Sequence, residues 1–168
     1  GDNFDESLDS ALKFCKKHKL PFIHPFDDPE VISGQGTIGK EIIEDFQEKI
    51  DVIFVAVGGG GLISGLGAYI KSFNPKIKIV AVEAEDAAGL HKSLEIGKRI
   101  KLDKVGLFAD GAAAKQIGLN NYQLIKEWLD DSITVSTDEI CAAVKDTFAE
   151  TRTVPEPTGA LALAGLKK

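Results

Sequence analysis

The sequence predicts an α/β fold, a three-layer sandwich with a mainly parallel sheet between helices, and three observations carry that expectation. Asp51-Val-Ile-Phe-Val-Ala-Val57 is an apolar, β-branched run without polar alternation, the pattern of a strand buried on both faces. Gly58-Gly-Gly-Gly61 ends it, and apolar residues then recur at helical spacing from Leu62 to Ile70. After the stop at Asn74-Pro75, Ile77, Ile79, Val80, Ala81 and Val82 form a second apolar run, so strand, helix and strand make a parallel crossover unit.

The remaining elements follow in chain order. Asp2 to Glu6 supply capping residues, with Asn3 or Asp5 as the cap, for a helix to about Lys17 whose inner face is Leu8, Ala11, Leu12 and Cys15. Pro21 to His24 reads as a short strand, and Pro25 to Pro29 as a turn. Ser33-Gly-Gln-Gly-Thr37 precedes a helix with Ile38, Ile42, Ile43 and Phe46 on its apolar face. Its two glycines fit either close backbone approach to a ligand or domain, or a softened helix entry. Ala87 to Glu95 is a short helix, and Gly97 to Leu107 is a lysine-bearing loop. Asn120 to Leu129 is a helix burying Leu124, Ile125 and Trp128; Ser132 to Val135 is a strand; Thr137-Asp-Glu139 caps a helix through Phe148; and Ala160 to Leu166 is the last helix.

The glycine quartet is where chemistry is expected. Backbone N–H groups unobstructed by Cβ atoms converge on an oxyanion, and a helix N-terminus adds partial positive charge. No Gly-Lys-Ser/Thr follows, which excludes a P-loop. A dinucleotide fingerprint wants a third Gly or Ala where Ile63 or Ser64 stands, yet Glu83 lies where a ribose-binding carboxylate would sit. A bare β–α turn needs fewer glycines, and each surplus one costs about 0.5–1 kcal/mol. A monophosphate cofactor is the first reading. A dinucleotide domain and a non-catalytic phosphate-binding module stay open beside it.

Bulk properties set limits. The 168 residues suit a single α/β domain, and 43% hydrophobic and 27% charged residues are ordinary for a globular protein. A net charge of -6 without a basic cluster argues against nucleic acid as partner. No apolar stretch reaches membrane-spanning length and no signal peptide opens the chain, so the expected compartment is the cytoplasm. Cys15 and Cys141 lie at apolar helical positions and are expected to be buried free thiols. His18, His24 and His91 read as surface or packing residues. The absence of methionine and the abrupt ends predict an internal segment of a longer polypeptide.

Several motifs together carry a resemblance. Val57-Gly-Gly-Gly-Gly-Leu-Ile-Ser-Gly65, Val82-Glu-Ala-Glu-Asp86, Val105-Gly-Leu-Phe-Ala-Asp-Gly111 and Glu156-Pro-Thr-Gly-Ala-Leu-Ala-Leu-Ala-Gly165 resemble those of threonine dehydratases. Ser33 to Thr37, Leu129-Asp-Asp131 and Ile140-Cys-Ala-Ala143 add to the match, which covers the whole chain in order. The resemblance implies the large domain of a fold-type II, tryptophan synthase β-like enzyme that uses pyridoxal 5′-phosphate (PLP). Residues 1–168 would be most of its cofactor-phosphate-binding half.

Carried over by motif, Gly58, Gly59, Gly60, Gly61 and Leu62 hold the phosphate, Gly111 approaches the cofactor ring, and Glu156 is a ring-side carboxylate that places the cofactor. Glu83 and the Ala87 carbonyl match a divalent-metal site of serine racemase, but Gly89 stands at the third, carboxylate, ligand position. Asp86 is a poor substitute for that ligand. The Schiff-base lysine belongs to a family motif absent from these residues, and Lys40, Lys71 and Lys115 read as solvent-facing or helix residues. No catalytic residue is therefore expected in this segment, which is predicted inactive alone. The implied reaction is the β-elimination of L-threonine to 2-oxobutanoate and ammonia, in isoleucine biosynthesis, by a homo-oligomer (a tetramer in the family). A serine/threonine dehydratase or a serine racemase-like enzyme is the alternative within the family. A plastid or mitochondrion is the alternative compartment for a eukaryotic source.

Overall fold

The computed structural model describes residues 4–46 and 50–168. The helix α1 spans Phe4–His18, α2 Pro29–Asp45, α3 Gly61–Phe73, α4 Gly89–Ile96, α5 Leu119–Trp128, α6 Thr137–Thr151 and α7 Leu161–Lys167. The strands are β1 Val52–Ala56, β2 Lys78–Ala84 and β3 Asp131–Val135. They form one parallel sheet in the order β1-β2-β3, with Val52 beside Lys78 and Val80 beside Asp131 at the first pairs. The strands β1 and β2 are short and largely apolar, β3 mixes Asp131, Ser132 and Thr134 with Ile133 and Val135, and each parallel step is bridged by helix.

Alternate residues of the sheet feed two cores. Val55, Val57, Ile79 and Ala81 meet Ile63, Leu66 and Ile70 of α3, Leu90 of α4, and Tyr122 and Ile125 of α5. Val82, Ala84 and Val135 meet Ile140 and Ala143 of α6 and Leu161 and Ala164 of α7. Two cores on opposite faces of one sheet make the three layers, so the expected α/β class holds. At the amino ends of the strands, Lys71 Nζ lies 2.6 Å from Asp130 Oδ2, which also accepts the Ile79 amide at 2.7 Å. Lys71 donates as well to the Ile77 carbonyl at 2.9 Å, so this lysine, expected to be solvent-facing or helical, is a half-buried tie in the last turn of α3.

Helix ends follow capping chemistry. Asp28 caps α2 by accepting from Glu30 and Val31, with Pro29 in the first turn, where its missing N–H is harmless. Ser136 and Glu139 form a capping box on α6, one residue earlier than the expected cap. Of the caps expected for α1, Asn3 lies outside the described residues, while Asp5 sits inside the first turn.

Four local expectations are corrected. Pro21 to His24 is irregular and pairs with none of the three strands. Ser33 to Thr37 lies within α2, not before it. There Gly36 faces the Gly65 carbonyl and Gly39 the Leu66 carbonyl, so glycine lets α2 and α3 cross closely, while Gly34 meets nothing. Cys15 is half-buried and Cys141 exposed, both free, because α6 turns Cys141 outward. Finally, Leu12 and Leu124 are exposed rather than inward.

Candidate functional site

The carboxyl ends of the parallel strands bring the predicted residues together. Val57 still pairs with the Val82 carbonyl at 2.9 Å, and the chain then leaves the sheet through Gly58, Gly59 and Gly60 into α3. Gly60 adopts φ +94°, a left-handed conformation that disfavours any side chain. The first helical hydrogen bond runs from the Ser64 amide to the Gly60 carbonyl at 3.0 Å. Among the described residues, none accepts from the amides of Gly58, Gly59, Gly60, Gly61 or Leu62. These amides open the positive end of a thirteen-residue helix, the chemistry of an anion cradle.

The glycines themselves have a second explanation that the sequence did not reveal. A Cβ at Gly58 would lie 2.7 Å from Ala112 Cα, one at Gly59 would enter the Phe26 ring, and one at Gly61 would lie 2.9 Å from the Phe26 carbonyl. Their number therefore reflects tight packing as well as an anion site. The free amides, not the glycine count, are the observation that points to a ligand.

Other candidates gather round this loop. The turn Asp110–Ala112 lies against Gly58 through Ala112, and Gly111 faces Glu156 and Thr158 across it. A Cβ on Gly111 would come within 3.0 Å of both Glu156 Oε1 and Thr158 Oγ1. Glu156 is exposed, and Thr158 Oγ1 is buried with no partner among the described residues. Gly58 to Leu62, Gly111 and Glu156 thus border one region, and Thr158 joins them. Free amides on one side and an orphaned hydroxyl beside a carboxylate on the other fit a phosphorylated, hydrogen-bonding cofactor.

Glu83 is placed differently. It is 0% exposed at the end of β2, and its Oε1 accepts from the Leu90 amide at 2.9 Å and its Oε2 from the His91 amide at 2.7 Å. It caps α4. Burial pushes its carboxyl up to about 7, against the lowering effect of those amides. Both oxygens being engaged and buried, no sugar hydroxyl reaches them, which removes the feature that favoured a dinucleotide. Ala87 is buried in the turn Glu85–Ala87, Asp86 lies against Gly106, and the Gly89 carbonyl accepts from Ser93 Oγ. Among the described residues, no group of three or more His, Cys, Asp or Glu is disposed to hold a metal ion.

The histidines have partners that the sequence did not show. His24 Nδ1 accepts from the Asp27 amide at 3.1 Å, while His91 Nδ1 lies 3.2 Å from Ser132 Oγ and its Nε2 3.6 Å from Glu95. Lys40 pairs with Glu44 on the surface, and Lys115 lines a polar cavity with Arg99 and Lys101. Sequence reasoning also passed over Phe26 and Asn121. Asn121 Nδ2 donates to the Gly59 carbonyl at 2.9 Å and to the Phe26 carbonyl at 2.7 Å. The doublet Asn120-Asn121 at a helix start was the available signal.

Comparison with known proteins agrees with this geometry. The family described as "Pyridoxal-phosphate dependent enzyme" matches residues 1–168. The biosynthetic L-threonine dehydratase of Burkholderia multivorans is 51% identical over 99% of this chain and 33% of its own length. A solved threonine deaminase, from the organism abbreviated T.th., superposes with a TM-score of 0.90 at 34% identity, over 95% of this chain and 55% of that one. The processed form of threonine deaminase isoform 2 from Solanum lycopersicum gives 0.89 at 44% identity, over 92% of this chain and 42% of that one. The chain spans about a third of the length of the bacterial curated relatives it matches.

Proposed function

Because the chain belongs to the pyridoxal-phosphate dependent enzyme family, we propose that it forms the phosphate-binding half of a threonine dehydratase. The reaction is β-elimination of L-threonine to 2-oxobutanoate and ammonia. The observation that carries the reading is the set of main-chain amides, Gly58 to Leu62, with no acceptor among the described residues at the head of α3. These amides bind the dianionic phosphate of PLP through charge-assisted hydrogen bonds. Gly111 leaves room for the ring, and the Glu156 carboxylate and Thr158 hydroxyl orient its polar edge. PLP, when bound, supplies an electron sink for the α-carbon of the substrate.

The Schiff-base lysine comes from polypeptide other than these residues, so this segment binds and orients but does not move the substrate's protons. The substrate is a small amino acid, the working state a homo-oligomer, and the compartment the cytoplasm. Relatives named as mitochondrial and chloroplastic make an organelle the second choice. Among the described residues no helix is long and apolar enough to cross a membrane. For Glu83 we assign the capping of α4 in place of metal binding, with Ala87 as packing.

Replacing Gly60 by Ala tests the cradle, since its φ of +94° strains any side chain. In the full-length enzyme, Gly60→Ala is expected to weaken PLP binding about tenfold or more, read from the absorbance band near the visible edge. Unchanged titration curves would reject the loop as the phosphate site. Steady keto-acid production by the 168-residue chain with PLP and threonine, above that of free PLP, would reject its dependence on an outside lysine.

A further inference from the structure

A loop of glycines has no steric preference for the direction its peptides face, so something outside it must set that direction. The Gly59 carbonyl is held by two donors at the start of α5, the Gly118 amide at 3.0 Å and Asn121 Nδ2 at 2.9 Å. The described residues contain no cis peptide, and in a trans peptide the carbonyl and the following N–H point in opposite directions. Pinning the Gly59 carbonyl toward α5 therefore turns the Gly60 N–H away from it, into the set of amides without a protein acceptor.

We infer that Asn121 is a positioning residue for the phosphate cradle, acting through the Gly59–Gly60 peptide. This rests on the phosphate-binding reading above. Asn121 is 0% exposed, and both protons of its amide are used, one on Gly59 and one on the Phe26 carbonyl. Since both partners are carbonyls, only the NH₂ group fits there, which fixes the orientation of the side chain. Its Oδ1 is buried without a partner among the described residues. An aliphatic residue would fill the same space without stranding an acceptor, so packing alone does not account for asparagine. Capping does not either: Asp27 caps α5, accepting from the Leu119 amide at 2.8 Å and the Asn121 amide at 3.2 Å. The side-chain amide is left to tie the glycine loop and the Phe26 segment to α5.

The test compares PLP with pyridoxal, which lacks the phosphate, by equilibrium dialysis against the full-length apoenzyme. Two variants are informative. Asn121→Leu removes the donors, and Asn121→Asp sets a carboxylate oxygen against both carbonyls. The expected result is a PLP dissociation constant raised about tenfold by Asn121→Leu and further by Asn121→Asp, with pyridoxal affinity unchanged. The ³¹P resonance of bound PLP is expected to shift in both. Ile125→Val, which trims a buried side chain one turn further along the same helix and touches neither donor to Gly59, controls for stability. It is expected to lower Tm while leaving the PLP-to-pyridoxal ratio as it was. Equal losses for the two ligands in the Asn121 variants, or no loss, would overturn the positioning role. If the unmodified enzyme itself fails to distinguish PLP from pyridoxal, the phosphate cradle falls, and this inference with it.

Discussion

The helices α1 and α3 are of similar length and both amphipathic, but they live in different surroundings. In α3, Gly61, Ile63, Ser64, Gly65, Leu66, Gly67 and Ile70 are all buried, whereas α1 has no buried residue. Leu66 is 3% exposed; Leu12 is 43% and Phe14 56%. The contrast lies in the glycines. Gly65 lets α2 rest on α3, where a Cβ would enter the Ile32 carbonyl, and Gly67 admits the Trp128 ring. Small residues are thus what bring neighbouring helices close enough to exclude water, and α1 has none but Ala11 on its inner face. An apolar stripe predicts a helix, but it takes complementary neighbours to bury one.

The most severe way to break the contrast is Gly65→Ala. The colliding atom is backbone, so α2 has to move, and the expected loss is about 4 kcal/mol or failure to fold, measured by urea denaturation. A matched pair sharpens it: Leu66→Ala is expected to cost about 3 kcal/mol and Leu12→Ala less than about 1 kcal/mol. Near-equal midpoint shifts would show that α1 is packed in solution.

A third comparison sets the buried acid that pins α4 against Glu6, an exposed acid in the first turn of α1. The folded Glu83 carboxyl titrates near 7 and an ordinary glutamate at 4.5, so between those values the native chain holds the extra proton. Its contribution is fully present below about 4.5 and lost as pH rises to about 7, so stability falls across that window by up to roughly 3 kcal/mol. Glu83→Gln is expected to flatten this part of a stability–pH curve, and an unchanged slope would assign it to other groups. The smallest effect is Phe14→Ser on α1, expected to stay within about 0.5 kcal/mol.

Much of the architecture was legible. Runs such as Asp51 to Val57 and Ile77 to Val82 need no partner to be recognised, because burial on both faces leaves an unbroken apolar signature. The strand expected at Pro21 to His24 rested on a shorter run led by proline, and it pairs with none of the three strands. At the site, motif order placed Gly58 to Leu62, Gly111 and Glu156, and the fold brings them to one region. What stayed hidden was which atoms are spent. Glu83 looks identical in sequence whether its oxygens face a ligand or cap a helix, and only its bonds to Leu90 and His91 decide. Asn121 left only the Asn120-Asn121 doublet as a signal, because its partner, Gly59, lies far away along the chain.

The ion pair between Lys71 and Asp130 sits at the opposite rim of the sheet from the unengaged amides of the glycine loop. One tie of the sheet is therefore made at the rim away from the glycine loop, while another, Glu83 on the Leu90 and His91 amides, is made near it. A change confined to the Lys71–Asp130 pair removes no hydrogen bond of the glycine loop, whose own ties run from Gly118 and Asn121 of the far rim to the Gly59 carbonyl.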